Sequence, residues 1–330
     1  MRSKGERMSD GELTPQIPPG NISQNEPVGP PAPAGPPHHT IFRGPNGIRA
    51  GWRALIFIAI LVGLSVALLL IMGLISHGRK PPTSMSMQTP VGLSLSEGTI
   101  FLFTSIAALI MARIEHRTYG QYGLPARSAF KRDFWIGAIV GFAAISACLA
   151  GIAGLHGFHV TGMGIHGPVI LSATAAWCMT FVLVGLAEEF SFRGYLQYTL
   201  ATGMRFWPAA LLLSLAFGLA HAGNPGETKF GLGSVVLFGL LFCLFLRRRG
   251  TLWWAVGFHA GWDWGQTYFY GVSDSGIPPY HNLFNSAFHG PAWLTGGSVG
   301  PEASVFTPIV LAVVAILFSL AYRQNLYEVQ

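Results

Sequence analysis

The chain has 330 residues, of which 51% are hydrophobic and only 10% carry a charge. A soluble domain carries about 25% charged residues, so a water-facing globular surface is excluded. The formal net charge of +6 has no basic face on which to gather, and this excludes a nucleic-acid partner.

The apolar residues come in long blocks rather than in the short alternating runs of a β-barrel. This predicts an all-α, polytopic transmembrane helix bundle in contact with membrane lipid. Residues 1–48 are rich in Pro, Gly, Asn and Gln, as in the run Gly29 to Pro37, and cannot form a core. They are expected to be a disordered tail, leaving residues 49–330 as the transmembrane domain. The first 50 residues hold no apolar run of signal-peptide type, so the first span itself is expected to direct insertion.

Apolar blocks follow at 54–75, 95–112, 134–154, 169–192, 207–222, 233–246, 252–270 and 307–322. A spanning helix needs roughly 17–25 residues. About eight spans are expected, with seven the alternative, because 207–222 and 233–246 are short. The loop 113–133 carries Arg113, Arg117, Arg127, Lys131 and Arg132, and another opens with Arg247, Arg248 and Arg249, whereas 155–168 and 271–306 contain no Lys or Arg. The positive-inside rule makes the basic loops and both termini cytoplasmic; Arg79, Lys80 and Lys229 dissent. A bacterial inner membrane is the expected location. Cys148, Cys178 and Cys243 each fall inside an apolar block without CxxC spacing, and read as small core residues rather than disulfides or a zinc knuckle.

Charged side chains at mid-bilayer cost at least about 2.5–3.5 kcal/mol each and are functional candidates by default. The block that reaches Leu186 runs on into Glu188-Glu189-Phe190-Ser191-Phe192-Arg193. Glu189 and Arg193 are four apart on a helix and can pair. Glu188, rotated about 100°, is left without a local partner, and a carboxylate in such a site can act as a base near neutrality. A charged helix end at the membrane surface would give the same pattern. Phe217 and His221 share a second helix face. His259 and Asp263 share a third, where the carboxylate can orient the imidazole or both can hold one metal or water. The depths conflict: His221 ends its block and should lie deeper than His259. His77, His156, His159, His166, His281 and His289 fall in outer loops, His116 in an inner one and His38 and His39 in the tail, and read as ordinary polar residues.

Glu-Glu-x-x-x-Arg, then Phe-x-x-x-His, then His-x-x-x-Asp, in this order on membrane segments, resembles the CAAX protease and bacteriocin-processing (CPBP, Abi-type) family of intramembrane peptidases. The likeness covers roughly residues 169–270. It implies an intramembrane endopeptidase acting on a protein or peptide substrate, with Glu188 as the base that activates water and His221 holding that water or a metal. His259 and Asp263 would complete the site and stabilise the oxyanion, with Glu189, Arg193 and Phe217 in support. Asp263 stands where the best-known CAAX endoproteases have Asn, which favours metal ligation, since a carboxylate cannot donate to an oxyanion unless protonated. Zn2+ on Glu188, His221 and His259, as in a metalloprotease, and a metal-free glutamate-activated water both remain open. The expected cavity opens toward the cytoplasm. Rival readings are a non-catalytic scaffold or immunity-type protein of the same fold, and a transporter with a Glu/His relay.

Overall fold

The computed structural model describes residues 41–44, 47–76 and 88–327; residues 1–40 of the expected tail, and His77, Arg79 and Lys80, lie outside them. Every apolar block is helical. In chain order the helices are α1 (Ala50–Ser76), α2 (Pro90–Ile114), α3 (Arg132–Gly154), α4 (Val169–Arg193), α5 (Tyr195–Met204), α6 (Phe206–Ala220), α7 (Lys229–Arg249), α8 (Trp253–Asp263), the single turn α9 (Ala292–Thr295) and α10 (Phe306–Ala321). Among the described residues, six stretches are long and apolar enough to cross a membrane: α1, α2, α3, α4 continued through α5, α6 with its terminal turn, and α7.

The other two of the eight expected spans are shorter. α10 has 16 residues. α8 has 11 and continues into a π-helical turn, Trp264–Phe269. All of its residues except His259 are buried, so protein rather than lipid surrounds it and no bilayer-length helix is required. α1 lies at the other extreme. Leu69, Leu70, Leu74 and Ile75 stand more than 60% exposed, apolar surface of the kind that faces acyl chains.

Sequence chemistry sets the helix ends. Thr89 caps α2 by accepting from the Gly92 amide at 3.1 Å, with Pro90 in the first turn, where its missing N–H costs nothing. Thr228 caps α7 through the Gly231 amide at 2.9 Å. Gly250, at φ +73°, ends α7 in the left-handed conformation that glycine adopts without a Cβ clash, and the chain turns straight into α8.

The closest helix contact is α3 against α8. Gly137 and Gly141 on α3 face Gly257 and Gly261 on α8, a small-xxx-small pair on each side. A Cβ at any of the four would stand less than 3.0 Å from backbone of the opposing helix. This seam fixes the depth and rotation of the helix carrying His259 and Asp263.

At the end of the bundle bearing the basic loops, Arg249 makes a forked contact with Asp133 at 2.7 and 3.1 Å. Arg53 pairs with Glu115 at 3.0 Å, which also accepts from the Tyr195 hydroxyl. At the opposite end, β3 (Phe158–Met163) pairs antiparallel with β4 (Phe284–Phe288), Phe158 against Phe288. This two-stranded ribbon is an addition to the all-α expectation. It joins the two loops that lack Lys and Arg, and the His159 and His289 rings stack on it at 5.0 Å.

Two sequence readings need correction. Local order begins before residue 49: β1 (Arg43–Gly44) pairs with β2 (Gly47–Ile48), and the Trp52 indole donates to the Ile41 carbonyl at 3.0 Å. The other correction concerns the cysteines. Cys148 and Cys243 are buried, but Cys178 is exposed, on the face of α4 that also turns Leu171 and Met179 outward.

Candidate active site

The last turns of α4 carry Glu188, Glu189 and Arg193. Glu189 and Arg193 are both fully buried, with Arg193 Nη1 3.4 Å from Glu189 Oε1, as the i, i+4 spacing predicts. The guanidinium carbon lies 4.2 Å from the Phe217 ring centroid on α6 and 5.6 Å from that of Phe242 on α7, a cation–π seat for a desolvated charge. Phe217 therefore couples two expected elements: its ring contacts Arg193 on one side and His221 edge-on at 4.7 Å on the other.

His259 projects from α8 into this group. Its Nδ1 lies 3.0 Å from Glu189 Oε1, so the Nδ1–H donates to that carboxylate and Nε2 faces the cavity. There Nε2 lies 3.6 Å from Glu188 Oε2 and 3.4 Å from Asp263 Oδ2. Phe242 stacks on the imidazole at 5.3 Å and 15°, holding the ring plane. His221 follows the last residue of α6. Its Nδ1 sits 2.9 Å from the Phe217 carbonyl oxygen, which can only accept, so Nδ1 carries a proton.

Glu188, His221, His259 and Asp263 line one cavity of about 360 Å³, walled by apolar side chains such as Trp177, Phe181, Val184 and Phe238. The two histidines whose depths conflicted in the sequence thus line the same cavity. α6 is only 15 residues long and ends at the cavity, and α8 is seated by its glycine seam. Gln88, Asn224, Ser275, Ile277 and Pro278, from loops opposite the Arg247–Arg249 end, also line the cavity.

Three carboxylates in the cavity were not anticipated: Glu97 on α2, Asp274 and Glu302. Glu97 lies in an apolar block, so the rule that singled out Glu188 would have found it. Asp274 and Glu302 sit in the polar loop 271–306, where sequence offers no such contrast. Thr267, in the π-helical turn, donates to Asp274 Oδ2 at 3.0 Å. Ser275 donates to Glu302 Oε2 from both amide and hydroxyl at 3.0 Å. Burial pushes Asp274 up to about 6. It raises Glu302 well above the usual carboxylate range, and the charge of Asp274 adds to that rise.

Among the described residues, one group of three metal-competent side chains has ligand atoms all within 4.8 Å of one another: Asp263, Asp274 and Glu302. Glu188, His221 and His259 form a more open set. Oxygen-only donors suit hard cations rather than zinc.

A search of curated proteins gives no match. Residues 170–265 match the family described as "Type II CAAX prenyl endopeptidase Rce1-like", a stretch that starts in the first turn of α4 and ends just past Asp263. The site-bearing core of this membrane bundle is thus similar to the CAAX-type intramembrane proteases.

Proposed function

We propose that the protein is an intramembrane endopeptidase of the glutamate type, hydrolysing a peptide bond of a protein or peptide substrate inside the cavity, with both termini on the cytoplasmic face of a bacterial inner membrane. The observation that carries the mechanism is that Glu188 and the two imidazoles line one cavity, each imidazole held at Nδ1 by a different anchor.

In this reading a water molecule donates one hydrogen bond to Glu188 and the other to the free Nε2 of His221. Glu188 takes a proton as the water oxygen attacks the scissile carbonyl carbon. The oxyanion that forms needs a donor, and Asp263 as a carboxylate cannot supply one. His259, carrying a proton at Nε2 between Glu188 and Asp263, fills that role. Asp263 thereby acts as its orienter. Glu188 then passes its proton to the leaving nitrogen as the C–N bond breaks, and carboxylic acid and amine leave. Glu189, Arg193 and Phe217 hold the imidazoles and do not touch substrate.

A catalytic zinc wants three converging protein ligands and an open position. Glu188, His221 and His259 are not among the side chains whose ligand atoms gather within 4.8 Å of one another, which supports the reading of water held between side chains over an ion ligated by all of them. Metal content of the purified protein, measured beside peptidase activity with and without a chelator, tests this choice. Activity that survives chelation in metal-free protein supports the glutamate scheme; stoichiometric zinc whose removal stops turnover contradicts it.

A further inference from the structure

A second cavity, of about 580 Å³, lies away from the candidate active site, in a wedge between α1, α5 and α6. Its helices are tied together at the end of the bundle bearing the basic loops. Arg53 Nη2 donates to Thr202 Oγ1 at 2.6 Å, joining the start of α1 to the end of α5. Gln197 Nε2 donates to the Phe206 carbonyl at 3.0 Å, folding α6 back on α5. Ala54 and Leu213 are buried at the floor of the wedge, whereas Leu55, Ile58 and Leu212 stand 43–54% exposed on its walls. Leu196 and Leu200 of α5 complete the apolar lining. Arg49 and Trp52 line one end of it, and among the described lining residues Arg49 alone carries a charge. Both are fixed by the β1–β2 segment. The Arg49 amide donates to the Phe42 carbonyl at 3.0 Å, and the Trp52 ring packs on Phe42 at 4.7 Å. From Arg49 to Ile58 is nine positions, about 13 Å along a helix, so the wedge presents a cation at one end and apolar surface for the rest of its length.

We propose that this wedge binds one anionic phospholipid of the surrounding bilayer, with its phosphate on Arg49 and an acyl chain along Leu55, Ile58, Leu196, Leu200 and Leu212. The inference goes beyond the peptidase reading and does not depend on it. The charge and the apolar length each select part of the occupant. A guanidinium takes phosphate oxygens in a forked contact, and basic pockets between membrane helices select anionic headgroups. Indole rings such as that of Trp52 favour the headgroup level. The exposed Arg205 follows two residues after Gly203, where a Cβ would stand 2.8 Å from that of Ala50, and adds positive charge near the same end. A zwitterionic lipid offers the same chains, but its cationic group opposes the attraction to arginine. A soluble phosphate lacks the chains that fill the cavity. Lipid seated here braces α5 and α6, the helices that follow Arg193 and lead to Phe217 and His221.

Binding is measured on the full chain in a neutral detergent, titrated separately with dioleoyl phosphatidylglycerol, dioleoyl phosphatidylcholine and glycerol 1-phosphate. Native mass spectrometry counts the bound molecules, and the thermal midpoint is followed alongside. One tightly held phosphatidylglycerol per chain is expected, bound at least about fivefold more tightly than phosphatidylcholine and raising the midpoint, with glycerol 1-phosphate not retained. Arg49→Gln should bring the ratio of the two lipids close to one. Leu212→Trp, at an exposed wall position, should weaken both lipids by narrowing the wedge. The two lipids compared on the wild-type chain judge the site even where a variant proves unstable. Equal retention of both lipids by wild type, an unchanged ratio in folded Arg49→Gln, or glycerol 1-phosphate held as tightly as the lipid overturns the proposal. So does phosphatidylglycerol binding that appears only after residues 1–40 are deleted, or only when a dimer is dissociated, since the wedge is then the seat of the tail or of a second copy.

Discussion

Glu189 Oε1 accepts from His259 Nδ1 at 3.0 Å while lying 3.4 Å from Arg193 Nη1, so one carboxylate joins a buried ion pair to the site's central imidazole. The sequence spacing shows only the Arg193 half of this arrangement. Glu189→Ala would leave Arg193 desolvated and unpaired, a change that costs about 3–5 kcal/mol. The expected result is a large fall in thermal midpoint in detergent together with loss of activity. Glu189→Leu with Arg193→Met should restore much of the midpoint but not the activity, because His259 stays unanchored. Recovery of both would mean that Glu189 has no part in holding the imidazole.

The α3–α8 seam predicts a contrast among glycines. Gly257→Ala places a methyl against Phe134 backbone, and overpacking of this kind costs about 1–3 kcal/mol. It should lower both the thermal midpoint and activity by displacing His259. Gly63→Ala meets nothing within 4 Å and should be neutral or slightly stabilising. A Gly257→Ala protein as stable and active as wild type would show that α8 is positioned by other contacts.

The division between what sequence shows and hides follows from these residues. The helical blocks, the Glu189–Arg193 pair and the ordered trio of motifs are local patterns, expressed in hydrophobic run length or i, i+4 spacing, and they could be read directly. The placing of His221 and His259 on one cavity could not be, because it depends on where α6 stops and on a glycine seam between helices more than a hundred positions apart in the chain. The same holds for Asp274 and Glu302. Ordinary loop carboxylates in sequence, they become cavity residues only because the fold brings them beside Asp263.

The charge on Asp274 should make stability depend on pH. Its carboxyl is pushed up from 3.8 to about 6 by burial, so the folded state binds the proton more tightly than the unfolded chain does. Such a group favours folding below about pH 4, and that contribution is lost as pH rises through 6. Glu302, Asp263, Glu188 and His259 face it and modulate the window. Asp274→Asn, which keeps an acceptor for Thr267, should raise the thermal midpoint over wild type at pH 7.5 and lose that advantage near pH 4. A constant or reversed difference across this range contradicts the assignment.

Asp263→Asn tests the role of the charge beside His259. With Oδ2 3.4 Å from Nε2 acting as an orienter, the substitution should lower turnover by about 10–100-fold. Neutral or improved turnover would instead make position 263 an oxyanion donor, for which an amide is the better group.

The central claim is that one carboxylate, Glu188, activates the water. The most direct measurement compares wild type and Glu188→Gln, both in liposomes, on a mixed peptide library with cleavage products identified by mass spectrometry. Glutamine keeps the shape and the distance to His259 Nε2 while removing the base. The account predicts defined cleavage products from wild type and none above background from Glu188→Gln, at equal protein and equal thermal midpoint. Products formed at comparable rates by both proteins would contradict it, whatever the other substitutions show.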